Sequence, residues 1–279
     1  MMPIKKLFVL VLLCTPAMCA PGKGVGVPGQ SGKCGGAAPA VLAPLPDLGT
    51  TDLHLVADDW SGSGNWASRV GGFTATVAGT PTKGLTSQFP GRSEIAGLTS
   101  ANYFTLASNA AHTIQLTDTI TYEVIVKTPT TWTSAGTPFG YFSTGATQIF
   151  NAAYLNNASG DGESAVYDNL ATSRYLGSVF AAGYQMSAKY NLVTLVMNVA
   201  APRWEFYING STVFTDTTTT ATMSPTNTPF GIGGRWNQNS VVMQAPWEGS
   251  IVEIVRHREA LDDATVASRA AAFNAAKGY

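Results

Sequence analysis

Beyond Leu48 the chain is a succession of short alternating or wholly apolar runs, broken by Gly, Asn, Pro or Ser about every ten positions, as in an all-β sandwich. Strands bury every second side chain, and the turns between them need residues that tolerate unusual backbone angles. The clearest runs are Thr119 to Lys127, Tyr190 to Val199, Arg203 to Asn209 and Gly249 to His257. In the first, Ile120, Tyr122, Val124 and Val126 share one face opposite Thr121, Glu123 and Lys127. One side should therefore meet a core, and the other solvent or a second layer. Leu192 to Val199 is apolar nearly throughout and reads as a central strand buried on both faces. Asn209-Gly210 lies between Trp204–Ile208 and Thr212–Phe214. It predicts a two-residue hairpin, because both central positions of a type I′ turn need positive φ.

Only the C-terminus has a convincing helix pattern. Asp262 can cap it, Leu261 and Val266 are spaced as a hydrophobic staple, and Val266, Ala270 and Phe273 form a narrow apolar stripe. Such a helix is expected to pack on the sandwich edge. With 279 residues, one principal domain is expected, since sandwiches of more than about 200 residues commonly remain single domains.

The first twenty residues form an export signal: Lys5 and Lys6 precede the unbroken apolar run Leu7 to Leu13, too short to span a bilayer comfortably. Cleavage after Cys19 fits, with Ala17 and Cys19 as the small residues; lipidation of Cys19 is the alternative, although Pro16-Ala17-Met18 matches a lipobox poorly. Residues 21–47 are rich in Gly, Pro, Ala and Val and read as a flexible tether. Residues 48–279 are then the sandwich. Within the tether, Gly24 to Gly29 spells G-x-G-x-x-G, but no strand precedes it and Pro28 blocks the helix that must follow, so no nucleotide site is indicated.

Composition narrows the partners. Charged residues are 12% of the chain and the net charge is -1, so no basic surface is available to neutralise a run of phosphates, and nucleic acid is excluded as the expected partner. Cys14 and Cys19 fall in the signal, which leaves Cys34 unpaired. A disulfide framework and a thiolate zinc site are both ruled out.

From Tyr190 onward the order and spacing of motifs resemble a known family. An apolar strand (Asn191 to Val196) is followed by Tyr207-Ile208-Asn209-Gly210, Ile232-Gly233-Gly234, and Gly249-Ser250-Ile251-Val252-Glu253-Ile254 with Ala260-Leu261 after it. Together with the opening turn Asp58 to Asn65, these elements resemble laminin G-like domains of the concanavalin A-like superfamily over most of Leu48 to Ala276. The family often has Asp before the Glu of its last strand; here that residue is Val252. The resemblance implies an all-β, two-sheet antiparallel jelly-roll sandwich with a short C-terminal helix. It implies no single function, since such folds host lectins, adhesion modules, glycosidases and lyases.

Catalytic patterns are missing from the sequence. A retaining glucanase needs two carboxylates about 5 Å apart, commonly from one strand, whereas Glu253 has apolar neighbours and Glu248 falls on the opposite parity. Asp161 and Glu163 sit in a Gly-flanked turn, and His54, His112 and His257 are scattered. Calcium is the accessory implied by the family, and Asp58, Asp59 and Asn65 supply hard oxygen donors in a Gly-rich turn. Asp and Asn also favour turns for their own backbone hydrogen bonding. For a glycan, an exposed aromatic with nearby polar side chains is needed. Arg235, Trp236, Asn237 and Asn239 supply that combination on one segment, with Trp60 and Trp66 as further aromatic candidates, while Trp204 belongs to the core. The expected function is an exported, non-catalytic module that binds a glycan or another cell-surface or matrix component. A structural surface protein without a small ligand and a divergent polysaccharide hydrolase or lyase are the alternatives.

Overall fold

A computed structural model describes residues 41–107, 119–129, 136–142, 149–155, 162–167, 173–176, 189–198, 201, 203–217, 229–237 and 241–277. Residues 1–40, read from the sequence as an export signal and the start of a tether, and also Asp161, His112 and Asn239, lie outside the described residues. The first strands are β1 (Thr51–Val56), β2 (Trp66–Ala67), β3 (Thr74–Ala78), β4 (Thr82–Leu85), β5 (Ser93–Ala96) and β6 (Tyr103–Leu106). They are followed by β7 (Thr119–Lys127), β8 (Phe139–Phe142), β9 (Ile149–Leu155), β10 (Gly162–Tyr167), β11 (Ser173–Leu176) and β12 (Tyr190–Asn198). Then come β13 (Arg203–Ile208), β14 (Ser211–Asp216), β15 (Phe230–Ile232), β16 (Arg235–Asn237), β17 (Val242–Gln244) and β18 (Ser250–His257), and the chain closes with α1 (Asp263–Lys277).

The strands form two sheets. Sheet A runs β14-β13-β12-β7-β18-β5-β4, with β1 also paired to β18. Sheet B runs β11-β10-β9-β8-β15-β6-β3-β2, with β16 joined to both β17 and β8. All pairings are antiparallel except that of β16 with β8. Between the sheets lies the principal core, to which sheet A contributes Ile120, Tyr122, Val124 and Val126 and sheet B contributes Phe104, Leu106, Phe139 and Phe230. The alternation expected for β7 is therefore observed, and Trp204 is in this core. β12 is buried on both faces: Val193, Leu195 and Met197 enter the principal core, while Leu192 and Val196 enter clusters on the other side of sheet A.

That other side is closed by α1 and by residues 41–48. Ile125, Leu192, Val252 and Val255 of the sheet pack with Ala270 and Phe273 of the helix and with Leu42 and Leu45. Two expectations change. The helix covers a sheet face rather than an edge, and residues 41–47, assigned from sequence to the tether, form a strap with buried leucines. Leu42 and Leu45 occur among Ala and Pro residues, so their composition resembles a linker although their side chains find a hydrophobic slot. The N-terminus of α1 is built as expected: the Thr265 amide donates to Asp262 Oδ1 at 2.7 Å, and Leu261 and Val266 pack together. At the hairpin, Asn209 and Gly210 have φ of 53° and 83°. A Cβ on Gly210 would stand 2.5 Å from the Ala270 Cβ, so the glycine also admits the helix.

Candidate functional site

Sheet A, strap and helix enclose two buried ionic centres that no local motif reveals. Glu253 is 0% exposed. Its Oε1 accepts from the Leu45 amide at 2.7 Å and meets His54 Nε2 at 2.9 Å, while Arg92 donates to Oε2 at 2.7 Å. Arg92 also donates to the Leu42 carbonyl, and Asp47 holds His54 Nδ1 at 2.6 Å. Burial opposes a charge on His54, but the hydrogen bonds and charges of Glu253 and Asp47 outweigh it and raise the His54 pKa. At the second centre Arg269 donates to both oxygens of Glu123, which also meets His257 Nε2 at 2.9 Å, and Arg269 reaches the Pro46 carbonyl. Burial works against the Glu123 charge as well, yet His257 and Arg269 prevail and lower its pKa. Carboxylate, imidazole and guanidinium are thus grouped as a hydrolase would group them. Buried beneath strap and helix, they give a substrate no approach and instead fasten those elements to the sheet.

The calcium candidates are likewise engaged. Asp58 pairs with Arg92 at 2.6 Å and accepts from the Ser93 amide; Asp59 pairs with Arg69; Asn65 Oδ1 accepts from the Val77 amide. The hydrogen bond from Arg69 holds the Asp59 pKa below its usual value. A cation arriving here would have to displace two guanidinium groups. No three His, Cys, Asp or Glu side chains gather to hold a metal ion among the described residues.

Trp60 and Trp66 are not available for stacking. Trp60 is 1% exposed, packs edge-on to Phe104 at 5.1 Å, and donates to the Gly64 carbonyl. Trp66 is buried beside the same ring and donates to the Val56 carbonyl. The Gly-rich turn carries Trp60 inward because Phe104, distant in sequence, supplies the wall it packs on.

Trp236 is placed differently. Phe104 and Leu106 of β6 point into the core, so Tyr103, of opposite parity, faces outward and is partly exposed. The Trp236 ring lies beside it, with centroids 6.0 Å apart and planes 54° from parallel. The backbone explains the position: β16 folds back over β15, and a Cβ on Gly231 would stand 2.7 Å from the Trp236 nitrogen and 2.8 Å from the Gly234 oxygen. Gly231 has no Cβ, which lets β16 cross. Trp236 and Arg235 are both partly exposed, and the ribbon returns through β17 after Val241, which is 67% exposed. The Trp236–Tyr103 pair therefore presents an aromatic surface on the outer face of sheet B, while Arg235, of opposite parity on β16, is partly exposed. Asn237 continues β16, its backbone opposite Val242. Tyr103 was not legible as a partner of Trp236, since only the β15 crossing brings them together.

No protein-family model and no curated protein matches the sequence. Solved structures do. Domain 4 of AbnA, a GH43 extracellular arabinanase from Geobacillus stearothermophilus solved with arabinotriose, superposes with a TM-score of 0.60 at 15% identity, over 79% of this chain and 98% of that one. The binding domain of Paraclostridial Mosquitocidal Protein 1 gives 0.59 at 10% identity, over 80% of this chain and 52% of that one. Botulinum neurotoxin type C, whose cell entry depends on interaction with two ganglioside molecules, gives 0.54 at 12% identity over 80% and 51%. The chain thus spans about half the length of these toxin chains. At such identities the likeness establishes the fold, a β-sandwich shared with binding domains.

Proposed function

We propose that this chain is an exported, non-catalytic glycan-binding module of the concanavalin A-like, laminin G-like kind, with Trp236, Tyr103 and Arg235 as its contact surface. The observation that carries the reading is the partly exposed Trp236–Tyr103 pair on the outer face of sheet B. Aromatic faces stack on the apolar face of a sugar. Support also comes from the solved neighbours, one holding arabinotriose and another recognising gangliosides. Asn237 and Asn239 extend the same segment and belong to the proposed contact.

The N-terminal signal pattern supports the export part of this reading, and no helix among the described residues is long and apolar enough to cross a membrane. A glycan array with wild type and Trp236→Ala tests the reading. Wild type should bind at least one glycan class and the variant should lose tenfold or more. Equal binding by both proteins, or none by wild type, overturns it.

A further inference from the structure

At one end of sheet A a cleft of about 320 Å³ opens between Glu94, Ala96, Lys127, Thr128, Glu248 and Ser250. This volume is at the lower end of the range for ligand pockets and suits one or two sugar rings rather than a long chain. The strand register builds it: Lys127, the last residue of β7, stands opposite both Tyr190 and Ser250, the first residues of β12 and β18. β5 brings Glu94 alongside.

Glu94 is held in a defined pose. Its Oε2 accepts from the Tyr190 hydroxyl at 2.5 Å and from Ser250 Oγ at 2.7 Å. Burial and this carboxylate push the Tyr190 pKa up to about 12, so the phenol keeps its proton and remains a donor. The other oxygen, Oε1, faces Lys127 Nζ at 3.9 Å. That is wider than a direct N–H···O hydrogen bond of about 2.7–3.2 Å. Lys127 is also steadied over the Tyr190 ring, 5.2 Å from its centre. The cleft therefore displays an acceptor and a donor, both fixed and close together, but not hydrogen-bonded to each other. In the same wall Thr128 is 1% exposed, and its Oγ1 has no hydrogen-bond partner.

Adjacent hydroxyls on a sugar ring complement this arrangement, since each hydroxyl both donates and accepts. One can donate to Glu94 Oε1 while its neighbour accepts from Lys127 Nζ, and charge-assisted bonds of this kind are roughly twice as strong as neutral ones. The charges of Glu94 and Lys127 cancel, which suits an uncharged sugar. We propose that this cleft is a second glycan contact, which takes the vicinal diol of an uncharged sugar without a metal ion. The proposal rests on the glycan-binding reading above.

Calorimetric titration of the full chain with arabinotriose, xylotriose, maltotriose and sialyllactose tests it, using wild type, Lys127→Met, Ala96→Tyr and Trp236→Ala. Lys127→Met removes the donor, and Ala96→Tyr fills the cleft while leaving Glu94, Tyr190 and Ser250 in place. Each cleft variant should weaken the best neutral ligand tenfold or more with an unchanged melting temperature, and sialyllactose should not compete for the site. If both cleft variants bind neutral sugars like wild type while Trp236→Ala does not, the cleft proposal falls and the module reading survives. Sialyllactose binding that the cleft variants abolish would overturn the preference for an uncharged ligand. No binding of any sugar by wild type would remove both.

Discussion

Replacing Glu253 by Gln changes one oxygen to an amide and should still be among the most damaging single changes in the molecule. The carboxylate accepts from the Leu45 amide and Arg92 and faces His54, all in a site closed to solvent. Glutamine keeps the shape, but it leaves the Arg92 guanidinium with only Asp58 to balance it and turns a pair of N–H donors toward groups that are themselves donors. Removing one partner of a buried ion pair costs about 3–5 kcal/mol, because the remaining charge stays desolvated. In a domain of this size each kcal/mol moves the melting temperature by about 2–4 °C, so a fall of roughly 6–20 °C is expected by differential scanning calorimetry. Limited proteolysis should also cut Glu253→Gln faster within residues 41–48, since both strap contacts with the carboxylate's partners weaken. An exposed pair gives the scale for comparison: Asp59→Asn, which breaks only the half-exposed pair with Arg69, should cost less than about 1 kcal/mol. A Glu253→Gln melting point within a degree of wild type would refute the account of how the strap is held.

Acid and alkaline limbs of stability should differ in origin. His54 has a folded pKa above its ordinary 6.5, so its contribution is complete below 6.5 and lost as pH rises through the raised value. Glu123 has a folded pKa below 4.5, so its contribution is complete above 4.5 and lost as pH falls through the lowered value. Urea midpoints should peak between these limits and decline as pH rises toward 8 through the loss of the His54 contribution; a flat profile from pH 6 to 8 would contradict the His54 assignment. Gly210→Ala must adopt a φ near 83° and meet the Ala270 Cβ at 2.5 Å, so a loss of at least about 1–3 kcal/mol is expected, and a change under half that range in chemical denaturation would count against it. Calcium should leave the melting temperature unchanged relative to chelator, because Asp58 and Asp59 already hold Arg92 and Arg69; a rise of several degrees would show that the ion displaces them.

What could be read from the sequence was whatever depends on near neighbours. The alternation in β7, the continuous apolar run of β12, the Asn209-Gly210 turn and the Asp262 cap are each determined within a few residues, and all four appear where expected. The buried centres were illegible for the opposite reason. Glu253 meets His54 across 199 positions and Arg92 across 161, so a carboxylate flanked by apolar residues gave no sign of its partners. Trp60 shows the same limit. A tryptophan in a Gly-Ser turn looks exposed until β6 delivers Phe104 against it. Leu42 and Leu45 were hidden by their proline- and alanine-rich setting, because a linker composition does not reveal a slot elsewhere that two leucines fill.

Strap and helix lie on the same side of the sandwich, with Arg269 of the helix joined to the Pro46 carbonyl of the strap. Tyr103 and Trp236 lie on the other side, beyond the principal core. A pull on Val41 would load Leu42, Leu45 and their hydrogen bonds with Arg92 and Glu253 before it reached any strand of sheet B. The strap and the aromatic pair are thus separated by the thickness of the sandwich.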